Sequence, residues 1–247
     1  MKRYSVSVIM GLMIGYEIGV KIVQKPIILP SLTLIFSELI RIIFSSSFVI
    51  IIQATLLRAM LTYLFVFMIS LVLGIISGYF KRIEWLLLPI VTFLRTVPTI
   101  SITLILLIWF GKELGPIMIM GLVVFPILYE LILGSMKQID QDLIDVCLLF
   151  GATKFEKFKA LYYPQLLKTL SSGIQATIGL SFKVMVMAEV MAQSSTGIGQ
   201  MLNYEKTYLN MGAVFAWTII LIVLVMIFEV ISSFLIDALI RHLETCK

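Results

Sequence analysis

Apolar runs recur along the chain at lengths that suit a bilayer. A helix needs roughly 20 predominantly apolar residues to cross a hydrocarbon layer of about 30 Å. Five segments have that character: 59–79, 86–109, 116–134, 173–192 and 212–236. Arg95 interrupts the second, Lys183 and Glu189 the fourth, and Glu229 the fifth. A sixth run, 5–24, contains Glu17 and Lys21, whose i, i+4 spacing lets them pair on one helix face. A cleaved signal peptide is the rival reading of that run, but no small-residue cleavage site follows it, so a retained helix is expected.

The stretch 42–57 is apolar, bounded by Arg41 and Arg58, and somewhat short for a crossing. Charge distribution arbitrates. With six spans and both termini cytoplasmic, the inner side holds Lys2, Arg3, Lys81, Arg82, Lys137, Lys154, Lys157, Lys159, Lys168, Arg241 and Lys247. The outer side holds Lys21, Lys25, Arg41, Arg58, Lys112 and Lys206, so eleven positive residues stand against six. A seventh span would put Lys2 and Arg3 across the membrane from the basic loop. Residues 30–57 are therefore expected to lie at the outer interface, and Trp85, Trp109 and Trp217 to form an aromatic belt at span ends. The expected organisation is a first helix plus interfacial segment over 1–58 and a five-helix core over 59–240, with a cytoplasmic loop at 135–171. The fold class is an all-α polytopic membrane bundle.

Composition agrees. The chain is 60% hydrophobic and only 13% charged, about half the charge of a soluble domain, with mean hydropathy +1.09. A net charge of +5 without a basic stripe argues against nucleic-acid binding. Cys147, Cys246 and the lone His242 give neither a disulfide framework nor a metal-ligand spacing. Glycines at four-residue spacing, Gly11, Gly15 and Gly19 and again Gly74 and Gly78, allow close helix approach, within one subunit or across a dimer seam.

The loop 135–171 is polar yet patterned. Asp140 or Asp142 can cap a helix through Leu143, Ile144, Val146, Cys147 and Phe150, which Gly151 then ends in a left-handed conformation. Thr153 and Glu156 have capping-box spacing for a second helix with Phe155, Phe158, Leu161 and Tyr162 as its stripe, and Pro164 is expected to stop it. The apolar arms of this elbow either pack under the bundle or dock into a partner's groove.

Asp145-Val146-Cys147, then Gly151, then Leu161-Tyr162-Tyr163-Pro164 resembles the EAA loop of bacterial ABC importer permeases, E-A-A-x3-G-x9-I-x-L-P. Gly and Pro match at their spacing; Asp replaces Glu, and Val146 and Cys147 replace two alanines. Arg95-Thr96-Val97-Pro98, Trp109-Phe110-Gly111, Phe125-Pro126, Ala188-Glu189-Val190 and Gly197-Ile198-Gly199 follow in the order seen in the nitrate/sulfonate/taurine group. The resemblance implies a type I importer permease in a bacterial inner membrane. It also implies that Asp145, Val146, Cys147, Gly151, Thr153, Glu156 and Pro164 couple to a separate ATP-binding subunit. Two permease copies, as a homodimer, two ATPases and one extracytoplasmic solute-binding protein would complete the assembly. The chain holds no G-x-x-x-x-G-K-[ST] phosphate loop, so it is expected to be no enzyme and to carry no cofactor; ATP would be bound by the partner.

An ionisable group at mid-membrane costs about 2.5–3.5 kcal/mol on insertion scales, so it needs a partner or a wet cavity. Arg95, beside the helix-breaking Pro98, suits a cavity wall or an ion pair with Glu130 or Glu229. Lys183 and Glu189, six residues apart, face different ways, and Glu229 is the expected partner of Lys183. Arg95, Pro98, Lys183 and Glu189 are the candidate translocation-path residues. A cationic wall favours a small anionic solute such as a sulfonate or nitrate, and a vitamin precursor is the alternative cargo that the resemblance allows. A secondary transporter is the rival class, but no repeat relates 1–135 to 136–247.

Overall fold

The computed structural model describes residues 2–245; Cys246 and Lys247 lie outside the described residues, as do the side chains of Asp237, Arg241 and His242. Every regular element among the described residues is helical. In chain order these are α1 (Lys2–Val23), α2 (Leu32–Ile43), α3 (Phe48–Tyr79), α4 (Lys81–Thr96), α5 (Thr99–Lys137), α6 (Gln141–Leu149) and α7 (Lys154–Lys157). A π-helical turn (Phe158–Tyr162), α8 (Tyr163–Ala192), α9 (Ile198–Thr207) and α10 (Met211–Thr245) follow. Among the described residues four helical stretches are long and apolar enough to cross a membrane: Phe48–Tyr79, Thr99–Lys137, which is broken at Gly111, Gly173–Ala192 and Met211–Phe234.

Helix α3 shows how the bundle is built. Its buried positions, Ile51, Thr55, Ala59, Thr62, Val66, Ser70, Gly74 and Ser77, recur every three or four residues and are mostly small, while Leu57, Leu61, Phe65 and Met68 face outward. Lipid tails are as apolar as leucine, so helices associate by close backbone approach along small residues rather than by hiding large ones. A Cβ placed on Gly74 would stand 2.7 Å from Ile132 Cγ2, and one on Gly78 2.6 Å from Met136 Cβ. These two glycines therefore seat α5 within the subunit, whereas Gly11 and Gly15 have nothing within 4 Å.

Several expectations are corrected. Residues 30–57 are not one interfacial segment: α2 stands apart as a short helix, but Phe48–Leu57 begin α3, so the boundary drawn at 58/59 falls inside a continuous helix. Arg58 is tolerated there because it is paired, as described below. The run 86–109 is split, since α4 ends before Pro98, which has no N–H to continue the ladder. Gly111 (φ +67°) then reverses the chain, so that Leu107 packs on Gly115, and Ile102 and Thr103 line a crevice with Ile119 and Leu122. Trp85 and Trp109 are exposed as a belt requires, but Trp217 is fully buried and stacks on Phe48 at 6.3 Å. Glu17 does not pair with Lys21. Its Oε1 accepts from the Leu32 amide at 3.1 Å, where the N-terminus of α2 favours an anion more than an exposed lysine does.

Gly74→Val should force α3 and α5 apart and lower the stability of the detergent-solubilised protein by about 1–3 kcal/mol. Gly15→Val should leave it unchanged, and thermal unfolding in micelles measures both.

Candidate functional site

The elbow forms as its local chemistry dictates. Asp140 caps α6 by accepting from the Asp142 amide at 3.0 Å, and Gly151 takes the left-handed conformation (φ +71°) that ends it. Thr153 and Glu156 close a reciprocal capping box: the Thr153 amide donates to Glu156 Oε2 at 2.8 Å and the Glu156 amide to Thr153 Oγ1 at 3.3 Å. Those bonds, from the Thr153 amide first and its hydroxyl second, hold the Glu156 carboxyl below the usual range.

Pro164 does not stop the second arm. The chain is helical without interruption from Lys154 to Ala192, and the Tyr163 amide bonds back to the Phe158 carbonyl, five residues earlier. This π-helical turn widens the ladder just before the proline, where a four-residue ladder would meet its ring.

Each arm has two faces. Ile144, Phe158, Leu161 and the buried Tyr162 pack beneath the bundle with Ile132 and Met136, and Tyr162 meets Tyr79 at a ring distance of 4.9 Å. The opposite face leaves Leu148 and Phe155 exposed, and Leu149 and Phe150 each 86% exposed. Packing under the bundle is thus realised on one face, and the other face is left open. Of the candidate coupling residues, Asp145, Val146, Gly151, Thr153 and Glu156 are exposed, while Cys147 and Pro164 are half-buried.

The candidate path residues are not brought together. Arg95 pairs with Glu130 on a half-exposed face, joining the end of α4 to α5, while Lys137 and Glu84 pair at 2.6 Å nearer the other end of α4. Pro98 sits at the break between α4 and α5. Lys183 is exposed, and no Lys183–Glu229 pair exists among the described residues. Glu229 instead lies against Gly179 and lines an open groove of about 320 Å³ with Gln175 and Ser233.

Glu189 is 0% exposed, at the centre of a knot. Its carboxylate accepts from Arg58 Nη1, from Thr55 Oγ1 at 2.9 Å and from the Gly199 amide at 3.0 Å. Thr55 Oγ1 in turn accepts from the Ile198 amide at 2.8 Å. Arg58 donates to the Thr196 carbonyl and reaches Glu113, which accepts from the Ser195 amide at 3.1 Å. Gly197, at φ +140°, passes so close that a Cβ there would be 2.7 Å from the carboxylate. Reading the sequence missed this assembly. Ala188-Glu189-Val190 and Gly197-Ile198-Gly199 are its half that the sequence displays, whereas Arg58 reads there as the edge of an interfacial segment.

Residues 70–245 match the family described as the inner membrane component of binding-protein-dependent transport systems. A Bacillus subtilis protein named as an aliphatic sulfonates transport permease, SsuC, is 30% identical over 193 residues, which cover 78% of this chain and 67% of that one. The taurine transport system permease protein TauC of Escherichia coli is 24% identical over 177 residues, 71% of this chain and 64% of TauC. Among solved structures, a chain of the MetNI methionine ABC transporter in inward facing conformations superposes with a TM-score of 0.61 at 18% identity. That superposition covers 75% of this chain and 93% of the other, and it shows a shared fold.

Removing the buried carboxylate would strand Arg58, Thr55 and the Gly199 amide. Glu189→Ala should therefore cost about 3–5 kcal/mol, the scale of breaking a buried pair. Glu189→Gln, which retains an acceptor, should cost less. Unfolding of the purified protein in micelles ranks the two.

Proposed function

Because the chain belongs to the family of binding-protein-dependent transport system inner membrane components, we propose that it couples solute movement to a separate ATPase through the elbow around Gly151. The chain is a permease component of an ABC importer. The observation that carries the coupling reading is the outward face of the elbow. Leu148, Leu149, Phe150 and Phe155 form an exposed apolar surface on a preorganised, capped scaffold whose other face is already anchored. An exposed patch of this kind is a docking site, and an α-helix laid into a partner's groove is the mode it fits. In this proposal six spans place both termini and the elbow in the cytoplasm of a bacterial cell, two copies pair, and each elbow seats on one of two ATPases. ATP is the partner's ligand. The secondary-transporter reading gives way to the family.

The solute proposed is a small anion. Arg95 on α4 and Lys183 on α8 are exposed cations, and proteins named for sulfonate and taurine transport are relatives. Glu130 offsets Arg95 while the path is empty, so an arriving anion competes with a carboxylate already in place. Pro98 leaves backbone groups free beside it. Glu189, its carboxylate turned into the knot, offers no open face to a solute.

Gly151→Val, strained at a left-handed position, should reduce the ATPase co-purified with the permease and abolish substrate-stimulated hydrolysis while the bundle stays folded. Normal co-purification with normal stimulation would refute the coupling role. Arg95→Gln and Lys183→Gln should each reduce uptake of sulfonate and nitrate probes at least several-fold and spare a neutral probe in a reconstituted importer. Unchanged anion uptake in both variants would sink the cationic-wall reading.

A further inference from the structure

The corner where α1 gives way to α2 holds a cleft that the transport reading leaves unused. It measures about 500 Å³, within the range of small-ligand sites. Gln24, Lys25 and Leu29 line it from the α1 side, and Ser31, Thr33 and Ser37 from the α2 side. All of its lining comes from residues 20–37, so the cleft is separate from Arg95, Glu130 and Lys183 on α4, α5 and α8.

The walls of this corner are fixed. Tyr16 Oη donates to the Pro30 carbonyl at 2.7 Å and the Leu32 amide donates to Glu17 Oε1 at 3.1 Å, which ties the connector back to α1. Gln24 ends α1 at φ +50°, a left-handed conformation that a residue other than glycine keeps only where its surroundings impose it. Behind the corner, Arg41 of α2 meets Glu205 at 3.2 Å, and Tyr16 meets Phe215 of α10 at a ring distance of 6.3 Å.

The polar lining suits an anion. Lys25 is exposed and has no ion pair among the described residues, whereas the acids beside the corner are engaged, Glu17 by the Leu32 amide and Glu38 by Arg41. The hydroxyls of Ser31 and Thr33 stand 2.9 Å apart, so one of their two hydrogens is spent between them and the other is left to donate to a ligand.

The rim is apolar. Ile22, Ile27 and Ile28 are exposed on the α1 side. On α2, Thr33, Phe36, Ser37 and Ile40 follow i, i+3, i+4, i+7 spacing and share one face, on which Phe36 is 65% exposed. A cation and a spare hydroxyl hydrogen set among outward isoleucine and phenylalanine match a molecule that carries a phosphate next to acyl chains, not a fully hydrated solute. We propose that this cleft seats the headgroup of an anionic phospholipid. Its phosphate meets the Lys25 ammonium and the hydroxyls of Ser31 and Thr33, and its acyl chains run over Phe36 and Ile40. A lipid held there clasps α1 to α2, whatever solute the bundle carries.

The chain purified in maltoside micelles and titrated with phosphatidylglycerol or phosphatidylcholine, with bound lipid counted by native mass spectrometry, tests the seat. One phosphatidylglycerol should bind at least tenfold more tightly than phosphatidylcholine. Lys25→Glu, at an exposed side chain, should remove that preference and leave the melting temperature of the lipid-free protein unchanged. Lys206→Glu, the same charge reversal on α9, should keep the preference. Phe36→Ser/Ile40→Ser should weaken both lipids alike. Equal affinity for the two lipids, or an undiminished preference in the Lys25 variant, would overturn the seat. Glycerol 3-phosphate that displaces the lipid at equal concentration would overturn it too, since the acyl chains would then contribute nothing.

Discussion

A carboxylate with no access to water must be met on its lone pairs by the protein, and Glu189 imposes that requirement on half the molecule. An unpaired charge buried in a low-dielectric interior costs several kcal/mol even after relaxation. Four separate pieces of chain therefore converge on it or on its partner Arg58: α3 supplies Thr55 and Arg58, α5 supplies Glu113, α8 carries Glu189, and the segment 195–199 brings its amides. The glycines at 197 and 199 are there because the backbone must come that close. Helices that have little hydrophobic reason to prefer one another in a bilayer thus acquire a fixed register at one end. At the other end Gly74 and Gly78 admit Ile132 and Met136, beside the Lys137–Glu84 ion pair.

The two ends consequently differ in character. One is held by directional polar bonds that are satisfied in a single geometry. The other, where the elbow packs beneath the bundle through Tyr162, Phe158 and Ile144, is held largely by side-chain packing.

What was legible in the sequence was local. Span positions follow from apolar length, the helix break at Pro98 from a missing amide, and the elbow from rules acting within four residues: Asp140 as cap, Gly151 as left-handed stop, Thr153 with Glu156 as capping box. The errors arose where a distant residue overrode a local rule. Pro164 breaks a four-residue ladder but not one already widened to five by the π-helical turn. Glu17 had Lys21 one turn away and took the Leu32 amide instead. Trp217 stands at a span end, yet Phe48 covers it. Arg58 reads as a mark of the interface because an arginine inside a span is costly, and its partner lies 131 residues further on. No spacing rule reaches that far.

The unbroken helix from Lys154 to Ala192 has a mechanical meaning. At about 1.5 Å per residue it forms a rod approaching 60 Å, long enough to cross the bilayer and project beyond it. One tip lies in the elbow, and the other lies three residues past Glu189. The elbow and the Glu189 knot are therefore joined by one continuous helix rather than by a relay of loops. The π-helical turn at Phe158–Tyr162, where the hydrogen-bond ladder is already mismatched, is where that helix bends most cheaply.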